Sequence, residues 1–167
     1  MPMPEFKPKT VYVTYIASTP EKVWDALTSS EFTRKYFWDR SIELERKLGG
    51  DFALLLPDGT ANVRGKVIAW DPPHKFAVTW HVEWPAEFSK LPECHVTYEL
   101  ARAGEAVRLT LTESHSWDVP DAILSGGRSG WPAILSALKS LLETGKAPAI
   151  KMEPPVAMIE AIRNLKF

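Results

Sequence analysis

Gly126-Gly127-Arg128-Ser129-Gly130-Trp131-Pro132, continued by Ala133 to Gly145, is a long helical pattern in a chain that otherwise reads mostly as sheet. Trp131, Ile134, Leu135, Leu138, Leu141 and Leu142 recur at the spacing that lines one face of a helix. Ser136, Lys139, Ser140 and Glu143 fall on the other side. Pro132 suits a first helical turn, where its missing N–H would have no intrahelical partner. Gly145 stands where a left-handed C-cap belongs, with Lys146 beside it at the negative end of the helix dipole. A helix built this way must lay one broad apolar stripe on something.

What it covers is written before it. Thr10 to Ile16 is β-branched and aromatic, the composition of a strand. Ser18-Thr19-Pro20-Glu21 is a helix start, with Val23, Trp24 and Leu27 on one face and an end near Ser29. Ser30-Glu31 opens a second short helix through Tyr36, with Phe32, Tyr36 and Phe37 available for burial. From residue 40 to 117 strands and turns follow one another. They cover 41–46, 51–56, 61–70, 75–84, 93–100 and 107–117, punctuated by Gly49-Gly50, Asp58-Gly59, Asp71-Pro72-Pro73 and Ala103-Gly104. Pro85 to Pro92 reads as a loop. Short connections make an antiparallel meander the economical topology. The order predicts an α+β fold: a curved sheet of about seven strands, two short helices after the first, and one long helix covering the concave face.

Composition narrows the function. At 167 residues the chain holds one domain with a real core. A net charge of −1 with dispersed basic residues argues against nucleic acid. A single cysteine, Cys94, excludes an internal disulfide framework and suits a reducing cytoplasm. No apolar run approaches the roughly 20 residues that span a bilayer, and the N-terminus has no signal-peptide core. Glycine-rich phosphate loops, nucleophile elbows and zinc spacings are all missing from the sequence.

Several residues could line a space between sheet and helix. Phe76, Val78, Trp80, Val82 and Trp84 share one face of their strand. Alternation places Val107, Leu109 and Leu111 inside, and carries Glu113, His115 and Trp117 onto the same side. Glu113 and His115 would then hold a ligand's polar end or act as acid and base; alternatively, that strand end has already reached solvent. His81 and His95 lie on the more polar face and read as surface groups, and Cys94 reads as a small buried hydrophobe. The expected cavity lining is Phe37, Trp38, Val78, Trp80, Trp84, Leu111, Glu113, His115, Trp131, Leu135 and Leu138. No catalytic residue, metal ligand or cofactor is assigned.

Ile16-Ala17-Ser18-Thr19-Pro20-Glu21-Lys22-Val23-Trp24-Asp25-Ala26-Leu27, the strand ending Gly65-Lys66-Val67 to Asp71-Pro72-Pro73, Thr79-Trp80, Gly130-Trp131 and Leu138 to Gly145 carry a family resemblance. Over roughly residues 10 to 146 the chain resembles homologues of the C-terminal domain of the activator of the ninety-kilodalton heat-shock chaperone's ATPase. That family sits within the helix-grip superfamily of START and birch-pollen-allergen proteins, also called SRPBCC. The resemblance implies that fold, and the reading adopted on it is a hydrophobic small molecule or lipid bound in a cavity, with no cofactor and no recognisable catalytic set. It also implies two alternatives: a chaperone partner in a stress response, or a cyclase- or hydrolase-type enzyme in the same cavity. The separate N-terminal domain of the eukaryotic activator does not precede the match, so chaperone stimulation does not follow from the likeness.

The expected organisation is a flexible arm at 1–9, the helix-grip domain at 10–146, and a proline-rich linker with a short helix at 147–167. In that tail Val156, Ile159, Ile162 and Leu165 step along one side. The stripe is short enough to be marginal alone, so it should dock on its own domain, on a second copy or on a partner; the homodimer contact is the expectation adopted, with the helix spanning 153–167.

Overall fold

The structure, a computed structural model, describes residues 4–167. Seven strands form one antiparallel sheet: β1 (Lys7–Ile16), β2 (Ser41–Leu44), β3 (Asp51–Leu55), β4 (Ala61–Asp71), β5 (Lys75–Val82), β6 (Cys94–Ala103) and β7 (Ala106–His115). Their order is β1-β7-β6-β5-β4-β3-β2, so each strand after β2 pairs with the one before it, and β1 closes the far edge beside β7. Helices α1 (Pro20–Thr28) and α2 (Ser30–Tyr36) connect β1 to β2, α3 (Asp121–Thr144) follows the sheet, and α4 (Val156–Arg163) ends the chain. Of the expected arm at 1–9, residues 1–3 lie outside the described residues and Lys7 to Lys9 already belong to β1.

The α1 start is the one its residues call for. The Thr19 hydroxyl accepts the Lys22 N–H at 3.3 Å, and Pro20 fills the first turn. Gly145 closes α3 at φ 84°, its N–H bonded to Leu141 O at 2.9 Å, where a side chain would be strained. Inward residues of β4 to β7 (Val67, Val78, Val96, Leu109) meet Trp131, Leu135 and Leu138 of α3 in a single core.

The main departure from the sequence reading is where α3 begins. It starts at Asp121 rather than at Pro132, which lies in mid-helix. The residues 121–130 are poor helix formers, with glycine costing about 1 kcal/mol each against alanine. The glycines among them sit where other parts of the chain approach closely. A Cβ on Gly126 would come within 2.2 Å of Met158 Sδ, and one on Gly127 within 2.8 Å of Glu113 Oε2. Pro132 removes the donor for the Arg128 carbonyl, but both residues are exposed, so water can serve it.

The second departure concerns the tail. The segment Ala86–Lys90, expected as part of a loop, is a 3-10 turn, and with α3 it forms a platform for α4. Ile162 is fully buried against Phe88 and Ile123, with Met158, Ile159 and Leu165 packed around them. Lys90 Nζ donates to Ile162 O at 2.9 Å at the negative end of α4, and Arg163 Nε donates to Glu87 Oε2 at 3.0 Å. Of the apolar stripe expected at a contact between two copies, Ile159, Ile162 and Leu165 are therefore packed inside their own chain, while Val156 stays exposed. One of the two surfaces that receive α4, Ala86–Lys90, read as a loop, and the other, the turn of α3 at Ile123, precedes the helix start expected from the sequence.

Candidate functional site

The site follows from how the concave face divides. Trp80 on β5 pairs with Cys94 on β6, and Val96 pairs with Glu113 on β7. Above these strands Trp131 packs its ring 5.4 Å from Trp80, 5.8 Å from Phe37 and 6.5 Å from Tyr98. This aromatic wall separates two regions. On one side, Phe37, Phe52, Phe76, Val78 and Tyr98 enclose only about 10 Å³, at most the room for one water. On the other side lies a cavity of about 1030 Å³, of the size that takes a drug-like ligand.

That cavity is walled by Phe37, Trp38 and Arg40, by the ends of β4 to β7, by the first half of α3, by residues 148–154, and by Met158 of α4. Of the residues expected to line it, Phe37, Trp38, Trp80, Trp84, Glu113, His115 and Trp131 do so. Val78, Leu111, Leu135 and Leu138 belong instead to the packed core, where each is almost wholly buried. Trp84 stands at the rim rather than the floor: β5 ends at Val82, and Trp84 is 50% exposed. The histidines read as surface groups sit half-buried, His81 bonded to Glu83 and the Ser89 carbonyl, and His95 stacked on Phe6.

Glu113 and His115 stay on the inner face to the end of β7. Their side chains are 13% and 10% exposed, so the alternative that this strand end has reached solvent is set aside. His115 Nε2 donates to Glu113 Oε1 at 2.7 Å, and the Trp131 indole N–H donates to Glu113 Oε2 at 3.0 Å. Both carboxylate oxygens are thus held, as a buried charge requires. Cys94 Sγ lies beside them, the three groups offering atoms within 4.8 Å of one another. Burial, and then the nearby Glu113 charge, push the Cys94 thiol well up, which keeps it protonated and inert as a nucleophile or soft ligand. The trio is an acid–imidazole pair beside a thiol, able to hold or pass one proton.

Arg40 carried no signal in the sequence, although its neighbours Phe37 and Trp38 were expected in the lining. Trp38 and Asp39 both adopt left-handed backbone, φ 47° and 58°, which aspartate tolerates but which is strained for a bulky residue such as tryptophan. This turn swings the Trp38 indole N–H onto Ile150 O at 2.9 Å, tying residues 148–154 into the cavity wall. It also places the Arg40 guanidinium 5.5 Å from the Trp38 ring and 6.0 Å from the Phe37 ring. Burial lowers the Arg40 pKa from its ordinary value, though a guanidinium stays charged at neutral pH.

A curved antiparallel sheet gripping one long helix around a cavity defines the helix-grip class, and comparisons with known proteins agree. The profile of the family described as "Activator of Hsp90 ATPase homolog 1-like protein" matches residues 17–143, and the chain belongs to that family. No curated protein matches. Among solved structures it is similar to the Aha1 dimer from Colwellia psychrerythraea: 19% identity, TM-score 0.65, covering 82% of this chain and 97% of that one. PFC0360w, an HSP90 activator from Plasmodium falciparum, aligns at 20% identity and TM-score 0.59 over 75% of this chain and 88% of that one. EF2215, a conserved protein of unknown function from Enterococcus faecalis, aligns at 20% identity and TM-score 0.65 over 98% of this chain and 92% of that one. At these identities the likeness is one of fold.

Proposed function

We propose that this protein binds a hydrophobic small molecule or lipid in the cavity between the sheet and the first half of α3, without a cofactor. The observation that carries the reading is the aromatic wall. Trp80 and Trp131 leave about 1030 Å³ open on one side while the core on the other side is filled. Pockets of this kind, apolar with a few placed polar groups, bury most of a ligand's surface. Glu113 and His115 supply a polar end, and they are also where a cyclase- or hydrolase-type step would find its proton. Among the described residues no helix is long and apolar enough to cross a membrane, and the buried thiol of Cys94 fits a cytoplasmic protein.

A second reading, a protein-interaction module of the chaperone-activator type or a homodimer, is favoured by the outer face of β1. That edge strand exposes Val11 (57%), Val13 (52%) and Tyr15 (52%) side by side. One experiment separates the readings. Pyrenebutanol titrated into the protein should quench tryptophan emission by energy transfer, with one probe bound per chain. Ala133→Trp, which fills the cavity from α3, should abolish that quenching, whereas Val13→Lys should leave it unchanged. Equal binding to the parent and the Ala133→Trp variant places the ligand outside the cavity. Loss of a stimulated chaperone ATPase in Val13→Lys alone supports the interaction reading.

A further inference from the structure

Six buried side-chain atoms find no hydrogen-bond partner among the described residues, and four belong to residues lining this one cavity: Arg40 Nε, Asn62 Oδ1, His115 Nδ1 and Trp117 Nε1. Buried polar atoms are paired in the great majority of cases, so this concentration marks unmet capacity where a ligand would sit. Two of the four, Arg40 Nε–H and Trp117 Nε1–H, are donors that ask for acceptors on the ligand, while Asn62 Oδ1 accepts and His115 Nδ1 does so when Nε2 carries the proton given to Glu113.

Arg40 is the most informative of them. The cavity's other charged residues fall into two sets. Glu113 and His115 are paired with each other, and Lys35, Asp39, Lys151 and Glu153 are exposed to solvent. Arg40 is half-buried, and no carboxylate pairs with its guanidinium among the described residues. Desolvating a charge without a partner is costly. The backbone nevertheless takes two left-handed residues in succession to put it there, and two aromatic rings hold it. A planar guanidinium held in this way presents a fork that matches a carboxylate.

We infer that the natural ligand is an amphipathic acid, with a flat apolar body lying against Trp80 and Trp131 and a single carboxylate paired with Arg40. The inference rests on the cavity reading and adds the chemical class of the ligand. Charge-assisted hydrogen bonds discriminate by roughly tenfold to a hundredfold in affinity.

The test compares two probes with the same body, pyrenebutyrate and pyrenebutanol, near neutral pH where the acid is ionised. The parent protein should bind the acid at least about tenfold more tightly than the alcohol. Arg40→Gln should remove that preference by weakening the acid alone. Arg40→Lys, keeping the charge but not the fork, should retain part of it. Ala133→Trp should abolish both probes. If the parent binds acid and alcohol equally, or if Arg40→Gln weakens both alike, the acid inference is overturned while the cavity reading stands. If neither probe binds the parent, both fall together. The comparison of probes on the parent decides the question even if an Arg40 variant fails to fold.

Discussion

Trp131 joins the two halves of the site by one atom. Its ring packs into the aromatic wall, and its indole N–H is the donor that satisfies Glu113 Oε2 at 3.0 Å. The two roles separate by substitution. Trp131→Ala should cost about 3–5 kcal/mol, as expected for emptying a buried aromatic site. Trp131→Phe keeps most of the bulk but leaves a buried carboxylate oxygen without its donor, and should cost about 1–3 kcal/mol. Urea unfolding measures both. A phenylalanine variant as stable as the parent would mean that Glu113 is satisfied by other groups and that Trp131 acts by packing alone.

At the level of elements, α3 is tied to the sheet edge by polar contacts as well as by its stripe. Glu143 Oε2 accepts the Ala17 N–H at 2.8 Å and the Lys139 ammonium at 2.6 Å, and Lys139 also donates to Tyr15 O at 2.6 Å. The Ala17 N–H first, and Lys139 after it, hold the Glu143 carboxyl below its ordinary value. A carboxyl depressed in the folded state contributes stability that is present above its unfolded pKa of about 4.3 and is lost as pH falls through the lower folded value. Glu143→Gln should therefore be less stable than the parent at neutral pH, with the difference closing as pH drops below about 4. Melting curves across that range check it. A gap that persists unchanged into strong acid would assign the effect to packing.

For the whole molecule, the consequential feature is that the chain after Gly145 completes the domain. Residues 148–154 form one wall of the cavity and are latched by Trp38, and α4 covers Phe88 and Ile123. A chain ending at Lys146 loses at least the burial of Ile162, worth roughly 1.5–3 kcal/mol. In a protein of 167 residues that corresponds to a fall in Tm of about 3–12 °C. The shortened protein should also bind pyrenebutanol more weakly, because one wall is gone. A truncated chain that melts and binds like the parent would show the tail to be an appendage.

By itself the sequence determined the architecture and half of the site. Alternation along β5 and β7 made Trp80, Glu113 and His115 candidates for the concave face, because a strand's side-chain period is two, while the burial of Glu113 and His115 at the end of β7 was decided by the packing above them. The helical stripe from Trp131 to Leu142 and the left-handed cap at Gly145 were legible for the same local reason. Only tertiary structure decided the rest. The helix runs through Gly126 and Gly127 against their own propensity, and those positions leave room for Met158 and Glu113 to approach closely. Leu135 and Leu138 fell on the filled side of a wall that exists only once Trp80 and Trp131 meet. Arg40 is aimed by left-handed backbone at Trp38 and Asp39, a conformation aspartate tolerates but one that packing must impose on tryptophan.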